Sequence, residues 1–196
     1  MSSVRLSVSG VMMCVLMVTM PLTAPAQEGQ GDTAAESGLQ DGSRDFDFEF
    51  GSWRATLKRR LDPLTDSDEW VEYEGTSVVR PVWEGSANLG ELNVEGPDGR
   101  IRGLTLRLYD PQARQWHIRW ANARDGLMGE PMIGEFAAGR GVFYNQELFG
   151  GRAVLVRFVF SDVTESSFDF EQAFSDDGGE SWEPNWVASF TRLQDD

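Results

Sequence analysis

Few residues in this chain could carry out nucleophilic chemistry. Its 196 residues include one histidine, His117, and one cysteine, Cys14. A catalytic triad needs a histidine within hydrogen-bond reach of the nucleophile, and a hydrolase elbow needs a G-x-S-x-G run, which the sequence lacks. We therefore predict no catalytic residue, and an enzyme is the least favoured interpretation.

Paired-acid, metal and haem sites are not indicated either. Glu171 and Glu183 flank a predicted hairpin, but Glu171 is in phase with Asp169 and faces outward, which favours solvated charge over a glycosidase acid pair. His117 lies in an alternating segment, 115–121, whose tryptophans take the opposite face, so its imidazole is predicted to point to water. We predict no metal site and no cofactor.

The first 26 residues are typical of a secretory signal peptide. They carry one charge, Arg5, then an apolar run at 11–18 and a small-residue cleavage site at 24–26. A membrane anchor would need about 20 uninterrupted apolar residues, whereas proline and polar residues interrupt this stretch. Cys14 lies within it, so the mature chain is predicted to lack cysteine and therefore disulfides. We expect a secreted or periplasmic protein with no membrane insertion after cleavage.

Charge and composition indicate how the rest of the chain is organised and which partners it disfavours. Removal of residues 1–26 takes the net charge from −15 to −16, which repels nucleic acid and anionic membranes. Residues 27–44 hold one large apolar side chain and are predicted to form a disordered tether. Residues 45–193 are long enough for one domain with a core of its own. The oligomeric state is left open.

The domain is predicted to be all-β. No segment keeps a helical period over three turns, whereas short alternating segments recur between Gly, Pro and Asp signals, and only residues 45–50 suit a short helical plug. Ten strands in an up-and-down order would leave two exposed edges unless the sheet closes, so we expect a single antiparallel β-barrel. The predicted strands are 52–60, 69–79, 86–94, 101–109, 115–121, 131–137, 140–148, 152–161, 167–174 and 183–192.

Residues at the two ends of the domain support closure. Gly51 allows a sharp turn out of the plug, and Trp53 begins an alternating strand that has one inward face. Arg192 on the last strand is in phase with inward aromatic residues. A buried guanidinium needs a stacking or pairing partner, so we predict that Arg192 contacts Trp53 across neighbouring first and last strands.

These features resemble a known superfamily. Gly51-x-Trp53 after a helical turn, with an arginine on the last strand, resembles the signature of the calycins, which include the lipocalins and fatty-acid-binding proteins. The wider pattern resembles a bacterial domain family of unknown function, some of whose members are secreted. That resemblance implies a calycin-like barrel and no activity. It covers about residues 46–192 through the motifs Asp47-Phe48-x-x-Gly51-x-Trp53, Gly103-x-Thr105-Leu106-Arg107-x-Tyr109-Asp110-Pro111, Trp116-x-Ile118-x-Trp120, Arg157-Phe158-x-Phe160-Ser161-Asp162 and Glu171-Gln172-Ala173-Phe174-Ser175-x-Asp177-Gly178-Gly179-x-Ser181-Trp182-Glu183-x-Asn185-Trp186.

The hairpin joining the last two strands also matches the Asp-box motif of sialidases and other secreted proteins. Within residues 175–182, the Asp177 carboxylate can accept backbone N–H bonds, Gly179 permits positive φ, and Trp182 can pack beneath the turn. A single copy of the motif favours a structural hairpin over a glycosidase propeller.

Alternation also predicts what lines the barrel. An aromatic lining of this kind suits a small apolar molecule, with Trp116, Trp120 and Phe158 against its body and Tyr73 or Gln172 near its polar end. The whole predicted lining is Trp53, Leu57, Tyr73, Leu104, Leu106, Leu108, Trp116, Ile118, Trp120, Phe158, Phe170, Phe174, Trp186 and Phe190, with Ser77, Gln172 and Arg192 as its polar members.

Three functions follow from this lining. The favoured one is binding of a small hydrophobic or aromatic molecule in the lumen, because ten strands make a barrel wider than side chains alone fill. The second is a structural or protein-interaction module with a filled barrel. The third is a small-molecule enzyme that would use Tyr73, Gln172 and Arg192.

Overall fold

The computed structural model describes residues 41–194, which form a closed antiparallel barrel of ten strands. Each strand pairs with the strand that follows it in the sequence, and the last strand pairs with the first. The predicted closure of an up-and-down sheet is therefore confirmed. Every predicted strand is present, with its ends within three residues of those observed. The strands are β1 (Gly51–Arg60), β2 (Trp70–Val82), β3 (Ala87–Gly96), β4 (Gly99–Asp110), β5 (Gln115–Asn122), β6 (Met132–Ala137), β7 (Arg140–Phe149), β8 (Arg152–Ser161), β9 (Ser167–Ser175) and β10 (Glu183–Arg192).

A short plug fills one end of the barrel, which we call the plug end. The 3-10 helix Asp47–Glu49 precedes β1, and the fully buried Phe46 ring lies 5.0 Å from the Trp116 ring in an edge-on contact. The Trp116 indole N–H also donates to the Gly42 carbonyl, at 2.8 Å. Contacts with the barrel thus begin before residue 45, while the predicted signal peptide and most of the predicted tether lie outside the described residues.

The opposite end, where β1 finishes at Arg60, is the far end. Its connections include the hairpin between β3 and β4 and the hairpin between β9 and β10. A second 3-10 turn, Trp83–Gly85, joins β2 to β3 at the plug end. Among residues 41–194, no helix is long and apolar enough to cross a bilayer.

Cross-strand register fixes which side chains face inward. Trp53 is fully buried and lies opposite Arg192 on one side and Ser77 on the other. This row continues through Leu92 to Gly103, which places Gly103 on the inner wall. The same alternation places most of the predicted lining inside the barrel.

The prediction for β4 is wrong by one residue. Its leucines, Leu104, Leu106 and Leu108, were expected inside, but the buried positions of β4 include Arg107, and Leu104 pairs with the exposed Glu91 on the outer face. A leucine run that alternates with arginine and threonine favours the opposite phase by hydrophobicity alone. Arg107 can point inward because the plug supplies a carboxylate, Glu49, 2.6 Å from its guanidinium.

Candidate functional site

Several aromatic side chains that face the lumen are only half-buried. Two clusters of buried side chains lie inside the barrel, one that includes Phe46 and Trp53 and one that includes Leu57 and Tyr73. Between and beside them are inward-facing rings that retain solvent-accessible surface, which we call the lumenal aromatic set. The set comprises Trp120, Phe158, Phe170, Trp186 and Phe190.

Two indoles of this set meet across the barrel. Trp120 is on β5 and Trp186 on β10, which lie five strands apart in a ring of ten and therefore on opposite walls. Their ring centroids are 6.4 Å apart, with the planes at 70°. Trp120 lies flat against Gly103, where an added Cβ would come 1.7 Å from the indole. Because Gly103 has no side chain, the Trp120 indole can pack directly against the backbone of β4.

A pair of amides accompanies these rings. Gln172 pairs in register with Phe158 on one side and with Trp186 on the other, so its side chain is lumenal. Asn185 lies in the irregularity between Pro184 and Trp186, and its Oδ1 accepts a hydrogen bond from Gln172 Nε2 at 2.8 Å. Asn185 is 2% exposed, and its Nδ2 has no hydrogen-bond partner among the described residues.

Tyr73 lies toward the far end with its hydroxyl already engaged. It donates to Asp98 of the β3–β4 hairpin at 2.5 Å, and Arg59 reaches the same carboxylate at 3.2 Å. Burial, together with this hydrogen bond, raises the pKa of Tyr73 above its ordinary value. The bond to Tyr73 lowers the pKa of Asp98. Tyr73 therefore fastens a hairpin to the barrel wall.

The five predicted ligand residues do not all come together. Phe158 and Gln172 are neighbours in register, with Phe158 packed against the cluster that includes Trp53, whereas Trp120 packs against the cluster that includes Tyr73. Trp116 lies at the plug end, 1% exposed, with its indole N–H bonded to the plug backbone. Trp116 therefore packs against the plug and supports it.

The predicted contact between Trp53 and Arg192 is present. The guanidinium carbon lies 4.1 Å from the centre of the Trp53 ring. Its nitrogens donate to the carbonyls of Phe48, Phe50 and Glu165, each at 2.7 Å. Gly51 has φ +112°, and a Cβ there would come 3.0 Å from the guanidinium. Arg192 thus ties the plug and a neighbouring loop to the last strand.

Asp177 organises the hairpin between β9 and β10. Its carboxylate accepts bonds from the Ser175 hydroxyl at 2.7 Å and from the Ser181 hydroxyl at 2.6 Å, and these bonds hold its pKa well below the usual range. Gly179 adopts φ +94° and donates to the Ser175 hydroxyl. Trp182 lies on the outer wall.

On that outer wall, the Arg157 guanidinium lies 4.6 Å from the Trp182 ring centre and pairs with Glu171 at 3.0 Å, in agreement with the outward phase predicted for Glu171. Glu183 accepts a bond from the Leu64 backbone N–H at 2.7 Å. His117 pairs with Ile133 on the outward face. Within the described residues, no cluster of three His, Cys, Asp or Glu side chains could hold a metal ion.

A buried polar group beneath the plug was not predicted from the sequence. Glu49 is 1% exposed and lies 2.6 Å from Arg107, which also donates to the fully buried Asn88 at 2.9 Å. The Arg107 guanidinium lies 4.7 Å from the centre of the Phe46 ring. An arginine within the leucine run of β4 and a glutamate within the aromatic plug were the available signals.

Two surface cavities accompany the lumen. A groove of about 390 Å³ runs along β9, β10, β1 and β2, and its lining combines the charged Lys58, Glu72 and Glu74 with Tyr73 and Phe170. A second cavity, of about 580 Å³, lies at the far end between Leu64 and the β9–β10 hairpin. The second cavity is lined mainly by polar groups, whereas the groove includes Phe170 of the lumenal aromatic set.

Comparison with known proteins defines the fold. No family model and no curated protein matches the chain. Among solved structures, it is similar to the S-type phycobiliprotein lyase CPES from Guillardia theta, with 11% identity and a TM-score of 0.53 over 77% of this chain and 92% of that one. Another similar structure is EF1p2_mFAP2b bound to DFHBI, with 12% identity and a TM-score of 0.43 over 78% and 99%. The chain thus shares the β-barrel fold of the lyase, here as a closed ring of ten antiparallel strands.

Proposed function

We propose that the barrel binds a small, flat, mainly apolar molecule among the lumenal aromatic set. The observation that carries this proposal is a difference in exposure among the inward-facing rings. Trp53 and Trp116, beneath the plug, are 0–1% exposed, whereas Trp120, Phe158 and Trp186 remain half-buried although they face inward. Apolar surface left open to solvent inside a barrel is stabilised when a ligand covers it.

The ligand is expected to be neutral. The polar groups beside the two indoles are the uncharged amides of Gln172 and Asn185. The chain carries a net charge of −15, which does not attract anions over long range. Affinity would then come from desolvation and ring contacts, and it should depend only weakly on salt.

A neutral solvatochromic dye such as Nile red tests this proposal. Bound dye should emit at shorter wavelength and quench tryptophan fluorescence, and Trp120→Leu should weaken binding at least tenfold. The matched control is Trp83→Leu, because Trp83 is 71% exposed at the plug end. Absence of dye binding, or equal losses in both variants, would contradict the proposal.

A filled barrel that serves as an interaction module is the second candidate. It is favoured by the contact between Trp120 and Trp186, whose indoles meet from opposite walls of the barrel. If neutral dyes and a library of small aromatic metabolites leave both fluorescence and melting temperature unchanged, this second function replaces the first.

The compartment and the family are also proposals. We infer from residues 1–26 that the protein is exported, with cleavage after Ala26, and from its motifs that it belongs to the bacterial domain family it resembles. N-terminal sequencing of protein from its host tests the first inference. Retention of Met1 in a membrane fraction would contradict it.

A further inference from the structure

The buried amide of Asn185 points to a more specific ligand. Its Nδ2 is a hydrogen-bond donor without a partner among the described residues, on a side chain that is 2% exposed. Buried polar groups in folded proteins are almost always paired, because an unpaired donor loses its hydration without compensation. An unpaired donor therefore indicates a position where an acceptor belongs.

The Asn185 amide lies beside the lumen, because it is bonded to an inward-facing side chain. Its Oδ1 is held by Gln172 Nε2 at 2.8 Å, and Gln172 lies in the inward row between Phe158 and Trp186. The backbone irregularity before Trp186 adds an unpaired residue to β10, which allows Asn185 and Trp186 to lie near the same lumenal region. The amide is thus oriented by one hydrogen bond that its Oδ1 accepts, and its Nδ2 remains a donor without a partner among the described residues.

A comparable group at the plug end is less suited to a ligand. Asn88 Nδ2 and Arg107 Nε also lack partners, but they are sealed beneath the plug with the carboxylate of Glu49. Asn185 instead is bonded to Gln172, which pairs in register with the half-buried rings of Phe158 and Trp186.

We propose that Asn185 Nδ2 donates a hydrogen bond to a carbonyl oxygen of the lumenal ligand. The ligand class is then a neutral aromatic ketone, aldehyde, ester or amide, with its ring against Trp120, Trp186 and Phe158. An uncharged amide donor does not compensate a desolvated carboxylate, which excludes aromatic acids as preferred ligands. This inference rests on the proposed lumenal binding and adds the group that selects among ligands.

A pair of probes with the same shape separates the hydrogen bond from the ring contacts. 2-Acetylnaphthalene carries a carbonyl where 2-isopropenylnaphthalene carries a methylene, and both can be titrated by displacement of a bound neutral dye. The wild-type protein should bind the ketone about tenfold more tightly, the value of one net hydrogen bond. In Asn185→Leu this preference should vanish while the alkene retains its affinity. The control Asn93→Leu alters an exposed asparagine and should keep the preference.

The two proposals fail in distinguishable ways. If neither probe nor dye binds, lumenal binding itself is wrong. If both probes bind the wild-type protein equally, lumenal binding stands and the role of Asn185 is refuted. Should Asn185→Leu fail to fold, the infrared carbonyl stretch of the ketone bound to wild-type protein decides, because a hydrogen-bonded carbonyl absorbs at lower frequency than one in an apolar solvent. An unshifted stretch would overturn the inference.

Discussion

The ion pair between Glu49 and Arg107 offers a sharp test of how the plug is held. Its two charges are 2.6 Å apart, with both side chains almost fully removed from solvent. Burial raises the pKa of Glu49, an effect the guanidinium opposes, and burial lowers the pKa of Arg107. In both residues the loss of hydration outweighs the attraction between the charges.

This balance predicts a non-additive set of variants. Glu49→Leu leaves a buried guanidinium without its carboxylate, and Arg107→Met leaves a buried carboxylate without its guanidinium. Each single substitution should lower the free energy of unfolding by about 3–5 kcal/mol. For a domain of this size, that corresponds to a fall of about 6–20 °C in melting temperature. The double substitution removes both charges and should be about as stable as the wild type, or more stable.

Urea unfolding followed by tryptophan fluorescence measures all four proteins. The coupling energy is the difference between the double-mutant loss and the summed single losses, and it should be several kcal/mol. If the double variant loses the sum of the two single losses, the two charges act independently and the argument is refuted. A small effect of Glu49→Leu alone would show that the carboxylate is hydrated or that the plug is only loosely held.

Three further variants test other parts of the barrel. Arg192→Ala removes the stacking on the neighbouring indole and three hydrogen bonds to carbonyls, so it should cost about 3 kcal/mol in thermal or urea unfolding; an unchanged midpoint would contradict that role. Gly103→Ala should displace the Trp120 indole and shift its fluorescence, whereas Gly90→Ala, where an added Cβ meets nothing closer than 3.5 Å, should not; equal spectra would refute the packing argument. Asp177 has a folded-state pKa below its unfolded value, so its stabilisation is present above about pH 4 and is lost as the pH falls. The melting temperature of Asp177→Asn should therefore fall less steeply than that of the wild type below pH 4, and parallel curves would count against the assigned bonds.

The strands of the barrel could be predicted because apolar and polar residues alternate along each of them. Strands such as β8 and β10 combine apolar alternation with glycine and aspartate turns, and both begin and end at the predicted residues. The contact between Trp53 and Arg192 follows from the cost of burying an unpaired guanidinium. Both features depend only on residues within single strands and at the two ends of the domain.

The parts that escaped prediction depend on distant partners. Arg107 points inward because Glu49, 58 positions earlier, lies beneath it, and hydrophobicity within β4 favours the other phase. Asn185 reaches the lumen through a backbone irregularity that period-two alternation does not contain. Trp116 faces inward as predicted, but its indole N–H is bonded to the carbonyl of Gly42, a contact that alternation within β5 does not predict.

Closure of the barrel by its first and last strands has a consequence for how the chain folds. Arg192 bonds to carbonyls that precede it by 142 and 144 residues, so ring closure joins almost the whole length of the domain. Bringing such distant segments together has a large entropic cost before any contact compensates for it, and proteins rich in non-local pairing fold slowly. We expect refolding on a timescale of milliseconds to seconds. A ribosome-bound chain cannot complete the ring until β10 has emerged, so truncation before residue 183 should leave an open sheet with two unpaired edges.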